Sequence, residues 1–334
     1  MHRMICVGIA ALFQVAAYAQ PSAPAEVALT SSVRVAFAGI VEGRRLAQVT
    51  DEYSQRTGAL ERQLKVRTAR ELSEADFLNE LAADVRAWSD EERERVTRAL
   101  EFLREPLARM PLPLPSRVVL VRMTGRVMGE QAAYTRGNEI YLPVGMVTPE
   151  VSAESLRELL AHELFHVASR QDRAWREAMY AVVGFAPTRE AVLPALLQAR
   201  RITNPDAPIL DIAIRVSIAD RGPVWVMPLL QSTIDHIGAE IPSSFLAVML
   251  LRWLEVGRGE SAPAEPVLAD PPVLYDTREL QGFYDSVGRN TGYIIHAEEI
   301  LASNYAQMVS GIAPQSPQVQ SRMLEVMTAR ARNR

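Results

Sequence analysis

Cysteine is almost missing from this chain of 334 residues: Cys6 is the only one. A single thiol excludes a disulfide framework and a zinc site built from thiolates. Basic runs are missing too. Lys and Arg number 36 against 40 Asp and Glu, a net charge of -4 with no positive stripe for a nucleic-acid backbone, so no nucleic-acid partner is expected. The Arg-rich end, Arg330-Ala331-Arg332-Asn333-Arg334, reads as a solvated helix tail. Beyond the first twenty residues no run of about 18 apolar residues occurs, and no membrane span is expected. Histidine is scarce: His2, His162, His166, His236 and His296 are the five. Any zinc must therefore be held by a few imidazoles together with carboxylates.

What is present begins with an export pattern. Arg3 supplies a positive start, Ile5 to Ala17 an apolar stretch, and Ala17-Tyr18-Ala19 a small-x-small cleavage site before Gln20. Residues 1–19 are thus expected to be a signal peptide and the protein to be periplasmic or extracellular, with no stable membrane insertion after cleavage. Cys6 lies inside that segment, so the mature chain would carry no thiol. The remaining composition, 48% hydrophobic with charges of both signs, is that of an ordinary globular protein of one large or two small domains.

The most informative segment is His162-Glu163-Leu164-Phe165-His166. On a helix, positions i and i+4 share a face, so both imidazoles can grip one metal ion. Glu163 sits about 100° round from His162, able to reach a metal-bound water without being a ligand. Leu156, Leu159, Leu160, Leu164 and Val167 follow the helical period, and Thr148, Pro149, Glu150 and Glu154 supply start signals. With Ala161 and Phe165 the segment is apolar nearly all round, which predicts a buried helix. A buried His-Glu-His trio must be satisfied, and a metal satisfies all three. The bland alternative is a core helix whose histidines hydrogen-bond to neighbours.

Residues 20–110 read as an N-terminal helical region. Ser73-Glu74-Ala75-Asp76 and Ser89-Asp90-Glu91-Glu92 resemble capping boxes. Pro106 through Pro115 breaks the pattern and marks a boundary. Val118 to Val121 reads as a buried strand; Ala132 to Thr135 and Glu139 to Leu142 read as a strand pair turned at Arg136-Gly137-Asn138. Strands leading into the motif helix predict a mixed sheet packed on it, with an edge strand able to pair with an extended peptide. Residues 173–200 read as helical, broken near Gly184 to Pro187. Ile212 to Ile218 and Val224 to Met227 could pair across Asp220-Arg221-Gly222, and Phe245 to Val256 suits either a strand or a short helix. Residues 316–334 read as a C-terminal helical tail.

Two histidines do not complete a catalytic zinc site, which commonly takes three protein ligands and a water. The positions three and six after His166 hold Ser169 and Asp172, so a glycine-then-histidine continuation fails, and Asp172 would strain the site as a ligand. A second helix from about Ala297 to Gly311 carries carboxylates at its start, Glu298 and Glu299. With this helix the chain resembles the HExxH metallopeptidases of the gluzincin type, which take their third ligand from a glutamate on a downstream helix. Aligning Tyr305 with that family's usual aromatic implies Glu299 as the ligand, with Glu298 the rival and an exposed helix-start pair the structural alternative. The position that orients a ligand histidine in the family then falls on Ser303, with Asn304 beside it. The resemblance also implies an oxyanion donor near the site, for which Tyr293 and His296 are the candidates. His236, beside Asp235, reads as a surface histidine.

The resemblance therefore implies an α+β, zincin-like metallopeptidase domain over residues 111–315. Its metal ligands would be His162, His166 and Glu299, holding one Zn2+ per chain. Glu163 would act as general base, with Tyr293 or His296 assisting, on a peptide or protein substrate through a zinc-bound water. A catalytically inactive zinc-binding exported protein and a zinc hydrolase of a non-peptide amide are the alternatives.

Overall fold

A computed structural model describes residues 25–238 and 240–332. The export segment read at residues 1–19 lies outside the described residues. Among them, no helix is long and apolar enough to cross a membrane.

The chain starts with two short strands, β1 (Glu26–Ala28) and β2 (Arg34–Phe37), followed by helices α1 (Ile40–Ala47), α2 (Ala59–Val66), α3 (Glu74–Ala83) and α4 (Asp90–Arg109). Both expected capping boxes close: Ser73 with Asp76 starts α3, and Ser89 with Glu92 starts α4. Two features correct the sequence reading. The region is not purely helical, because β1 and β2 enter the main sheet. Nor does α4 stop at Pro106; it runs three residues further, because a proline in the last turn removes only one ladder hydrogen bond.

Strands β3 (Arg117–Met123), β4 (Tyr134–Arg136) and β5 (Glu139–Pro143) complete a five-stranded mixed sheet in the order β1-β2-β3-β5-β4. β2, β3 and β5 run parallel; β4 pairs antiparallel with β5 and forms the edge. Gly137 makes the turn between β4 and β5 at φ 60°, a left-handed conformation that favours glycine. Both faces of the sheet are covered, which is why Val118 to Val121 of β3 read as an unbroken apolar run. Val118 and Leu120 face the cluster that includes Leu100 and Leu103 of α4, while Val119 and Val121 face Ala47, Phe77 and Leu81 of α1 and α3. The N-terminal helices thus build the core around the sheet on which the motif helix packs.

Helix α5 (Ala153–Gln171) bears the motif, and α6 (Arg173–Val182) follows at once. The start of α5 lies later than the Thr148-Pro149 signal suggests, because Ser152 is the residue that accepts the Ser155 N–H, at 3.0 Å. A second sheet, β10-β9-β8-β7-β6, is antiparallel throughout. Its members are β6 (Phe185–Pro187), β7 (Ile212–Ile218), β8 (Gly222–Ser232), β9 (Met249–Arg258) and β10 (Leu274–Tyr275), with α7 (Ala195–Arg200) between β6 and β7. The hairpin β7–β8 turns at Asp220 as its pattern indicates, pairing Ile214 with Val226. The break near Gly184 holds strand β6, and residues 188–194 after it are not helical, contrary to the sequence reading. The ambiguous Phe245 segment is one short turn of helix leading into β9.

The chain closes with α8 (Phe283–Val287), α9 (Ala297–Ser310) and α10 (Pro317–Arg332). α9 ends at Gly311 with φ 68°, the conformation a helix-ending glycine supplies. It packs directly on α5. Residues 297–302 are all buried, so its two glutamates are carried into the core.

Candidate metal centre

The helical period places His162 and His166 on one side of α5, their rings 4.6 Å apart and nearly perpendicular. His162 keeps 17% of its side chain exposed, whereas His166 is fully buried. α9 meets this side with its first turn. His162 Nε2 lies 3.1 Å from Glu299 Oε2, and His166 Nε2 lies 3.5 Å from the same oxygen. One donor atom from each of the three side chains falls within 4.8 Å of the others, close enough to share one ion. His166 Nε2 is buried and has no hydrogen-bond partner of its own. An unpaired buried imidazole nitrogen beside a carboxylate and a second imidazole fits a position that could hold a metal ion.

The neighbouring Glu298 has the opposite task. Its Oε1 is 2.9 Å from His166 Nδ1 and accepts a 2.7 Å bond from Ser169 Oγ; its Oε2 accepts a 2.6 Å bond from Tyr180 Oη. Burial works against its ionisation, yet these three donors outweigh burial and hold its carboxyl below the usual range. A carboxylate on Nδ1 leaves Nε2 of His166 facing the metal position and raises its basicity. The two adjacent glutamates therefore divide the work, Glu299 facing the histidines' Nε2 atoms and Glu298 standing behind His166. The orienting position expected at Ser303 is not used for this: Glu298 reaches Nδ1 first. Asn304 is structural, donating to Ile300 O and accepting from Asn290.

Glu163 is buried beside the trio and accepts a 2.8 Å hydrogen bond from Thr135 Oγ1 on the edge strand β4. Asp206 approaches from the loop before β7, and its carboxylate shares a space within 4.8 Å with atoms of Glu163 and His166. Four carboxylates thus converge on one imidazole. Burial disfavours a charged His166, but Asp206, Glu299 and Glu298 together push its pKa well up. Burial likewise lifts Asp206, with Glu163 and Glu299 adding to the rise against the pull of His166. The guanidinium of Arg170, close by, is committed to the carbonyls of Thr135, Pro205, Asp206 and His166. The surplus of negative charge calls for a cation, and the residues present fit one.

Other candidates divide. Tyr293 stacks beside His162, ring centres 6.4 Å apart, and is 46% exposed on the open side of the site. Partial burial and the carboxylates of Glu299, Asp206 and Glu163 push its phenol up, so it stays a proton donor. His296 caps a helix through one ring nitrogen, while its other nitrogen, Nε2, is buried with no hydrogen-bond partner. Its Nδ1 accepts the Glu298 N–H at 3.1 Å as the cap of α9, its ring lies against Tyr180, and burial drives its pKa down to about 4. Asp172 caps α6 by accepting from Trp175 N. His236 is exposed and pairs with Asp235. Sequence reasoning missed Thr135, Ser169, Tyr180, Asn204 and Asp206. Ser169 stands seven residues after His162, two turns along the same face; the others come from elements whose position only the fold decides.

Among families, the model described as the eCIS core domain matches residues 126–174, from before β4 to the start of α6. That family is zincin-like and related to metallopeptidases. The match includes Thr135, His162, Glu163 and His166 and ends well before Glu299. No curated protein and no solved structure matches the chain. Together with the mixed sheet and the helix it carries, the match makes the fold α+β and zincin-like.

Proposed function

We propose that the protein is a zinc-dependent peptidase with His162, His166 and Glu299 as its metal ligands. The observation that carries this reading is the orphaned Nε2 of buried His166, held towards Glu299 and His162 by Glu298 at its other nitrogen. Two imidazoles and a carboxylate, with no thiolate among the described residues, favour zinc over softer or all-oxygen metals. Zinc bound there would polarise a scissile carbonyl and bring the pKa of water towards neutrality.

The chain's own residues supply the rest. Glu163, fixed by Thr135, takes a proton from the attacking water and delivers it to the leaving amine. Tyr293, protonated and on the open side beside His162, donates a hydrogen bond to the oxyanion that develops on the carbonyl. Glu298, Ser169 and Tyr180 hold His166 in the one tautomer that leaves Nε2 free. The edge strand β4 lies alongside Glu163 and favours an extended peptide as substrate, since main-chain pairing aligns a scissile bond along it. The export pattern at residues 1–19 puts this activity in the periplasm or outside the cell.

The test is Glu163→Gln. Hydrolysis of an unfolded protein substrate should fall about 10²–10⁴-fold while one zinc per chain is retained; undiminished cleavage by this variant removes Glu163 from the mechanism. A zinc-replete wild type that cleaves neither peptides nor proteins, under conditions that open the site, would favour the non-catalytic or non-peptide readings.

A further inference from the structure

Edge strand β4 has a single residue, Thr135, whose backbone can pair outward, and both of its groups are already taken. Its N–H donates to Asp206 Oδ1 at 2.7 Å, and its carbonyl accepts from Arg170 at 3.2 Å. The same Arg170 nitrogen holds the carbonyls of Pro205 and Asp206, each at 2.9 Å. The segment Thr203–Pro208 is thereby clamped along the edge. Asn204 donates to Glu299 Oε1 at 2.7 Å, and Asp206 stands within reach of Glu163 and His166. Asn204 Oδ1 accepts the Asp206 N–H at 3.0 Å, closing a local turn that aims both side chains into the site.

The other end of the segment is moored in the core. Thr203 donates through its backbone N–H and its hydroxyl to Glu61, at 2.9 Å each, and its carbonyl accepts from Lys65 at 3.2 Å. Lys65 and Glu61 are a fully buried ion pair on α2 with a 2.6 Å contact. This pair, unused by the chemistry above, ties the strap to the N-terminal helices.

We infer that residues 203–208 form a built-in occupant of the peptide groove, and that the protein folds in a latent state in which this strap must leave β4 before an extended peptide can enter. Asp206 takes the position of a substrate carbonyl on the Thr135 N–H, and Arg170 takes the Thr135 carbonyl from a substrate N–H. The Asp206 carboxylate also stands on the metal-facing side, as an internal anionic ligand would. A ligand that competes with the strap binds more weakly by the fraction of molecules in which the strap is open. The identity of the displaced ligand, a peptide, rests on the peptidase reading; the occlusion of the edge does not.

The experiment uses the zinc-loaded full chain, a peptide hydroxamate as probe, and hydrogen exchange at the Thr135 amide. Wild type should bind the hydroxamate weakly and protect the Thr135 amide. Asp206→Ala should bind at least about tenfold tighter and lose that protection. Asp206→Asn, which removes charge but keeps an acceptor, should fall between. Thr203→Val, which touches no metal-facing residue, should shift both readouts in the same direction by loosening the mooring, so the inference does not depend on one variant. Equal affinity in wild type and Asp206→Ala, or weaker binding by the variant, overturns the strap. If binding rises in Asp206→Ala but no protein substrate is cleaved, the strap stands and the peptidase reading falls. Equal binding in the two proteins, with protein substrate cleaved by both, removes the strap and leaves the peptidase reading standing.

Discussion

At Glu61 and Lys65 the protein buries one carboxylate and one ammonium, 2.6 Å apart, and closes the group with the Tyr53 hydroxyl and the backbone of Thr203. At His166 it buries or half-buries Glu163, Glu298, Glu299 and Asp206 around imidazoles, with the nearby Arg170 occupied by carbonyls. The first cluster balances within the fold; the second does not. A buried pair that balances is structural, and its members are hard to remove singly. A buried cluster in carboxylate excess, with an imidazole nitrogen left over, needs something from outside the chain. The strap joins the two, with Thr203 in one and Asn204 and Asp206 in the other.

That contrast can be broken in order of expected effect. Glu163→Gln should cost about 10²–10⁴-fold in turnover, the usual worth of a general base, with zinc content and melting temperature close to wild type; a fall in zinc content instead would make Glu163 a ligand. Lys65→Met should cost about 3–5 kcal/mol in urea unfolding by stranding Glu61, and adding Glu61→Gln, which removes the stranded charge and still accepts from Thr203, should restore part of that loss. Zinc stoichiometry should stay the same in both, and a loss of metal there would show that the clusters are not separable. Glu298→Gln should weaken zinc binding by about 10–100-fold in competition with a chelator, because it acts through His166 and not on the metal. Complete loss of metal in that variant would promote Glu298 to a direct ligand. Ser89→Ala, at the capping box of α4 and remote from both clusters, should cost about 1 kcal/mol in stability and leave zinc affinity unchanged.

In the balanced cluster the i,i+4 spacing of Glu61 and Lys65 is legible, but its burial against distant Thr203 is not. The unbalanced cluster is only half visible, for physical reasons. His162, Glu163 and His166 are legible because a helix brings i and i+4 together by its own period. α9 was legible from its apolar phase, its acidic start and Gly311. The division between Glu298 and Glu299 was not, because neighbours on a helix point about 100° apart and only the packing of α9 on α5 decides which one meets Nε2. The orienting role expected at Ser303 went to Glu298 for that reason. β1 and β2, at three and four residues, are too short to show a period and gain their stability from the sheet they join. Asp206 lies 40 residues beyond His166 in an Asn-Pro-Asp turn; nothing local marks a turn that folds back onto a distant edge strand.

The most direct test of the metal centre is the metal content of the purified chain, measured on wild type and on His166→Ala and Glu299→Ala. About one zinc per wild-type chain is expected, retained through dialysis and lost in both variants while the fold persists. Wild type without bound metal after zinc loading, or either variant holding zinc as tightly as wild type, would contradict a His162, His166 and Glu299 site.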